Sequence, residues 1–232
     1  AGLLDPTRPQ GQMRVVPVDE LGGHAALGLA LRHLANTGVF MSATAHPDDE
    51  DNGLLVMLNR GQGYRTALVS ATRGNGGQNE IGPELFEALG VLRTEELAAM
   101  HRFDGAEQYF TRAVDFGFSK TAEETFAKWG HEAILADVVW TVRRFRPDVV
   151  VIGVSGGHGH HQASGILARE AFAAAADKTR FPEQFRWVEP WQAKRLVTGG
   201  FGGGPQAAAG RAAAGGVRVD TGEFDPVLGF SY

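Results

Sequence analysis

Between residues 39 and 176, short unbroken apolar runs alternate with longer stretches in which apolar residues recur every three or four positions. Residues 39–45 and 64–71 are two such runs, and residues 148–154, with Val149, Val150, Val151 and Ile152 in succession, are a third. Compact runs of this kind predict strands buried on both faces. A helix is predicted near residues 49–59. Another is predicted over 83–102, with Leu85, Phe86, Leu89, Leu92 and Met100 on one stripe. Thr121-Ala122-Glu123-Glu124 has the form of a capping box, and Phe126, Ile134, Leu135, Val138, Val142 and Phe145 continue one apolar face up to Pro147, predicting a single long helix. An Ala-rich helix follows over 162–176, and a leading helix is expected around residues 21–34. Residues 194–198 and 217–220 read as late strands on either side of a Gly/Ala-rich stretch, 199–216, expected to be a mobile loop.

Strands joined through helices of roughly 10–25 residues imply right-handed crossovers and a sheet covered on both sides. The expected fold is therefore α/β, a Rossmann-like, mostly parallel sheet with helices on both faces. Residues 1–36 are expected to form an N-terminal extension carrying the leading helix, and residues 37–232 the α/β domain. The length of 232 residues, with 43% apolar and 21% charged residues, suits a packed domain and not a disordered chain. Net charge is −5 (22 basic against 27 acidic residues) and no basic cluster is dense, which argues against nucleic acid or an anionic membrane surface as partner. No apolar run is long enough to span a bilayer. Cysteine is absent, excluding disulfides, thiolate metal sites and a Cys nucleophile. The chain opens on Ala1, which suggests trimming. Its compartment, cytoplasmic or exported, and its self-association stay open.

Candidate chemistry gathers just past the predicted strands, where open α/β sheets hold their ligands. His46-Pro47-Asp48-Asp49-Glu50-Asp51 follows the first run. It offers a metal one nitrogen and one oxygen with a carboxylate to spare, and Pro47 stiffens the turn. The competing reading is that these acids only cap the next helix. Gly156-Gly157-His158-Gly159-His160-His161 follows the run at 148–154 and carries three of the eight histidines. Two separated segments, each past a buried strand, would bring His46, Asp49 and one of these histidines to one rim. Two His and one Asp with an open position is the composition of a catalytic Zn²⁺ site. Thr72-Arg73-Gly74-Asn75-Gly76-Gly77-Gln78-Asn79 follows the second run. Arg73, Gln78 and Asn79 there can hydrogen-bond a polyhydroxylated or anionic ligand, although the pattern matches no phosphate loop. His24, His33, His101 and His131 read as surface or packing residues.

Taken together, Ala45-His46-Pro47-Asp48-Asp49-Glu50, Thr72-Arg73-Gly74 with Gly76-Gly77-Gln78, and the His-rich turn at 158–161 resemble the PIG-L/LmbE-like family of zinc-dependent de-N-acetylases acting on N-acetylglucosaminyl compounds. The resemblance covers roughly residues 37–176. It implies a Rossmann-like fold, Zn²⁺ as cofactor, a small-molecule N-acetylated sugar conjugate as substrate, and hydrolysis of an acetamide. It implies His46, Asp49 and His161 as metal ligands, Asp48 as general base and a protonated His158 as oxyanion stabiliser, with Arg73 contacting substrate. In the family's second motif, His-x-Asp-His, an Asp stands where this chain has His160; His160 is therefore open to ligation or to holding substrate. Asn75 stands where an acidic residue is frequent, and a further helix is expected beyond Tyr232. The competing classes are a zinc hydrolase of another amide or an ester, a nucleotide-binding module using residues 73–79, and an inactive relative.

Overall fold

The computed structural model describes residues 20–77, 79, 82–199 and 216–232. Gln78 and nearly all of the Gly/Ala-rich stretch lie outside them. Five strands, β1 (Val39–Thr44), β2 (Arg65–Ser70), β3 (Glu107–Phe110), β4 (Val149–Ile152) and β5 (Arg195–Thr198), form one sheet in the order β3-β2-β1-β4-β5. Every neighbouring pair is parallel; Ala43, for example, lies beside Val69 on one side and Ile152 on the other. This is the expected α/β fold. The strand order reverses between β1 and β4, so a crevice opens beyond their carboxyl ends.

Burial explains why the central strands lack polar alternation. Met41 and Ala43 of β1, with Val69, Val150 and Ile152, pack against Ile134, Val138, Val142 and Phe145 of α5 (His131–Phe145) and Ala163, Leu167 and Ala171 of α6 (Gly159–Ala174). Phe40 and Val151 belong to a smaller cluster with Leu55 of α2 (Asn52–Val56) and Ala106. α2 starts only at Asn52, because the Asp51 side chain caps it by accepting from Leu54 N–H at 2.9 Å; it then widens into a π-helical turn over Met57–Gly61.

Several local expectations are corrected. The helix from Thr121 is two helices, α4 (Ala122–Trp129) and α5, because Gly130 turns the chain at φ +79°. α3 (Glu87–Asp104) begins four residues later than its pattern suggested. Of the proposed stripe only Leu89 is buried, beside Leu97, while Leu85, Phe86, Leu92 and Met100 face outward. β3, a four-residue edge strand that starts two residues past the left-handed Gly105 ending α3, is too short for period-two patterning to show. Residues 217–220 form no strand; Val217 is exposed.

Two polar devices hold the periphery. The side chain of Arg143, on α5, is fully buried and donates to the carbonyls of Ala174, Ala175, Asp177, Phe181 and Arg180 and to Gln184 Oε1, at 2.9–3.3 Å. It thereby satisfies orphan carbonyls at the end of α6. Elsewhere the hairpin β6 (Phe224–Asp225) and β7 (Phe230–Ser231) docks on α1 (Gly23–Ala35), with Leu228 against Leu29. Buried Asp225 accepts a two-pronged contact from Arg32 (2.6 and 2.9 Å) and the Tyr232 hydroxyl (2.8 Å).

Burial alone would raise the pKa of Asp225, but Arg32 and Tyr232 outweigh it and hold it at about 2. A folded value below the unfolded one, ~3.9, makes this carboxylate stabilising above about pH 4 and progressively less so as pH falls toward 2, by about 2 kcal/mol in all. Denaturant titrations of wild type and Asp225→Asn at pH 7 and pH 3 are expected to show a large deficit in the variant at pH 7 that narrows at pH 3. An equal deficit at both values contradicts the assignment.

Candidate metal centre

The loop 45–51 leaves β1 and the loop 153–158 leaves β4, so neighbouring strands deliver the two histidine-bearing segments to the crevice. α6 begins at Gly159, three residues before the expected helix, with His158 as its N-cap. His160 and His161 thus sit in its first turn. Gly159 N–H donates to Ser119 O at 2.7 Å, and a Cβ on Gly159 would stand 2.4 Å from Thr121 O and 2.5 Å from Ser119 Oγ. Only glycine fits there.

The imidazoles of His46 and His161 and the carboxylate of Asp49 meet. His46 Nδ1 lies 3.2 Å from His161 Nε2 and 3.3 Å from Asp49 Oδ2, and His161 Nε2 lies 3.3 Å from Asp49 Oδ1. A tetrahedral Zn²⁺ with bonds of ~2.0–2.1 Å spaces its ligand atoms by roughly 3.3–3.4 Å. The two imidazole nitrogens match that spacing, and each lies at it from a different oxygen of Asp49. One ligand atom from each of the three residues falls within 4.8 Å of the others, close enough to share an ion. Two imidazole nitrogens and a carboxylate turned toward one another repel unless a cation or protons lie between them. Asp49 Oδ2 accepts from the N–H groups of His46 (2.8 Å) and Ala45 (3.2 Å), which fixes the carboxylate.

The electrostatics follow from this packing. Burial works against the charged form of Asp49, but hydrogen bonds from His161 and His46 prevail and hold its pKa well below the usual carboxylate range. The hydrogen bond to Asp49 raises His161 despite its burial, with the Gly156 carbonyl adding to the effect. His158 is lowered, first by burial and then by His46 and His161. Burial, with His46 close by, lowers His160 to about 3.

The other proposed residues are more scattered. Asp48 projects outward, its side chain 67% exposed, and its Oδ2 meets Arg93 at 2.5 Å. Asp48 holds φ at +108°, a strained value for a residue with a Cβ and one that clusters at functional sites. His158 Nδ1 accepts from His160 N–H at 3.0 Å, and the Phe118 ring stands edge-on to it at 5.1 Å. His160 has no exposed surface. Its ring lies between those of Phe116 (4.4 Å) and Trp129 (4.7 Å), with Nδ1 2.9 Å from His46 Nε2. Arg73 is exposed; it donates to Thr94 Oγ1 (3.0 Å) and stacks over Phe110. The Asn79 amide donates to the Glu84 carbonyl and carboxylate. Gln78 lies outside the described residues.

Two residues at the crevice were not singled out from the sequence. Arg93 of α3 grips both Asp48 and the Pro47 carbonyl. Asp115 is buried, with Oδ1 3.7 Å from His160 Nδ1 and Oδ2 4.0 Å from His46 Nε2. Arg93 reads in sequence as an ordinary surface position of a helix. Asp115 becomes visible only once β3 is recognised, as a carboxylate shortly beyond a strand end.

An open parallel sheet with convergent His and Asp donors at its switch point defines a Rossmann-like α/β scaffold carrying a candidate metal centre. The PIG-L family model, described as GlcNAc-PI de-N-acetylase, matches residues 41–172, and the chain belongs to that family. Membership supports an enzyme of the hydrolase, deacetylase type. No curated protein sequence matches the chain. Among solved structures it is similar to the conserved protein TT1542 from Thermus thermophilus (22% identity, TM-score 0.50, covering 73% of this chain and 70% of that one). It is also similar to N,N'-diacetylchitobiose deacetylase from Pyrococcus horikoshii (17%, TM-score 0.55, 72% and 61%). A third is GalB, the 4-carboxy-2-hydroxymuconate hydratase from Pseudomonas putida (20%, TM-score 0.54, 69% and 64%). At these identities the likeness shows the fold, and this chain spans less than two thirds of the last two proteins. Among the described residues no helix is long and apolar enough to cross a membrane.

Proposed function

We propose that the chain is a Zn²⁺-dependent hydrolase that removes the acetyl group from an N-acetylglucosamine-type amide on a small-molecule conjugate. The observation that carries this reading is the convergence of His46 Nδ1, His161 Nε2 and the Asp49 carboxylate, which contacts each imidazole through a different oxygen, at the β1/β4 switch point. When bound there, Zn²⁺ supplies Lewis acidity and brings the pKa of a water toward ~7.

The chain's own residues do the rest. Asp48, adjacent to the ligand Asp49 and held by Arg93, takes a proton from the attacking water and returns it to the departing amine. His158 accepts a backbone N–H at Nδ1, so its ring proton sits on Nε2; with its pKa lowered, it meets the developing oxyanion as a neutral donor, not as the imidazolium that the resemblance implied. Arg73, Gln78 and Asn79 are proposed to line the approach for the sugar. His160, without exposed surface, fits a supporting role better than substrate contact.

The hydratase among the structural neighbours shows that the fold also carries water addition without hydrolysis, so fold alone does not separate the two. Acetate release decides between them. Wild type is expected to liberate acetate from N-acetylglucosaminides, to lose this activity to a chelator and to regain it with Zn²⁺. His46→Ala and His161→Ala are expected to retain no zinc by elemental analysis. Undiminished zinc in both variants, or no acetate from any N-acetyl sugar with zinc restored, overturns the proposal.

A further inference from the structure

His160 presents an unusual pairing. It is fully buried, and its Nε2 has no hydrogen-bond partner among the described residues. Its Nδ1 faces another imidazole nitrogen, His46 Nε2, at 2.9 Å. Two ring nitrogens at that separation form a hydrogen bond only if one carries a proton and the other a lone pair. The direction follows from the opposite side of His46. Its Nδ1 points at His161 and Asp49 and must present a lone pair to an ion. A neutral His46 then carries its proton on Nε2, so His160 Nδ1 is the acceptor and the single proton of His160 resides on Nε2.

We propose that His160 is a positioning residue for the metal centre: its Nδ1 accepts the Nε2–H of His46 and so locks His46 in the one tautomer that offers Nδ1 to the ion. A metal-bound histidine ordinarily gives its second N–H to a carboxylate, a carbonyl or water. Here the acceptor is a neutral imidazole enclosed by Phe116 and Trp129. Asp115, the nearby carboxylate, stands 4.0 Å from His46 Nε2, too far for a direct bond.

The same atoms contain a rival arrangement. His46, His158 and His160 also place one donor each within 4.8 Å of one another, as a second ion would need. Filling both positions would require His46 to give up both ring protons. The 2.9 Å separation is moreover a hydrogen-bond length, shorter than the roughly 3.3–3.4 Å edge around a tetrahedral zinc.

This inference rests on the metal-centre reading above, and the experiment separates the two. Zn²⁺ affinity and stoichiometry are measured on the full chain by competition with a chromophoric chelator, for wild type, His160→Leu and His160→Asn. One equivalent is expected in each. The Leu variant should bind ~10–100-fold more weakly, as the loss of an outer-shell partner does. The Asn variant, whose Oδ1 can occupy the place of Nδ1, should recover most of that loss. Wild-type affinity in the Leu variant, an Asn variant as weak as Leu, or two equivalents in wild type would overturn the assignment. Nitrogen-15 spectra of the zinc-loaded wild type give a reading that requires no variant to fold: His160 is expected to be protonated at Nε2 alone, and a proton on its Nδ1 refutes the proposal. Failure of the wild type itself to bind Zn²⁺ would remove the metal centre along with it.

Discussion

Asp48→Asn is expected to lower turnover by about 10²–10⁴-fold while leaving zinc content unchanged, the range by which general acid–base catalysis accelerates reactions. The substitution separates chemistry from architecture. The Asp48 carboxylate makes no hydrogen bond or ion pair with the three proposed ligands, and its ion pair among the described residues, to Arg93, is made by a side chain that is 67% exposed. Such a pair contributes at most about 1 kcal/mol. Asn also tolerates positive φ better than most residues, so the strained backbone at +108° is preserved. Acetate release under saturating substrate, read beside elemental analysis and a melting curve, checks the prediction. Turnover within a few-fold of wild type removes Asp48 from the mechanism.

Arg143→Met is expected to cost about 3–5 kcal/mol of stability, the largest effect predicted for any position distant from the metal centre. Methionine fills a similar volume but donates nothing, so the carbonyls of Ala174, Ala175, Asp177, Phe181 and Arg180 would be left facing a thioether. Each unmet buried acceptor costs ~1–3 kcal/mol, reduced where water can enter. Arg143→Lys retains the charge and should recover only part of the loss, because one ammonium cannot reproduce the planar fork. Urea unfolding measures both. A change below about 1 kcal/mol for the Met variant would mean that these carbonyls are readily rehydrated.

The parts of this fold legible in the sequence are those that depend on local pattern. Val149–Ile152 is unbroken because both faces of β4 are covered, and the loops after β1 and β4 show their chemistry because their polar residues are contiguous. What escaped depends on partners remote in the chain. The capping box at Thr121 was visible, but the break at Gly130 was not, since the apolar face continues across it from α4 to α5. Leu85 and Phe86 matched the helical stripe, yet they precede the first turn of α3 and are exposed. Arg93 acquires its meaning only when α3 is laid against Pro47 and Asp48. His160 looks from its position like a further polar residue in a histidine-rich turn. Its environment comes from Phe116 and Trp129, more than thirty residues upstream.

The glycine between His158 and His160 has a mechanical consequence. α6 hangs from the 119–121 backbone at a point where a single added carbon would collide with Thr121 O and Ser119 Oγ. The imidazoles of His160 and His161 ride on the turn fastened there, so any shift of that neighbouring loop is transmitted to them without slack. The precision of the centre is thus borrowed from a hinge pin outside it, and crowding that pin with one methyl group would misalign the histidines without altering a single donor atom.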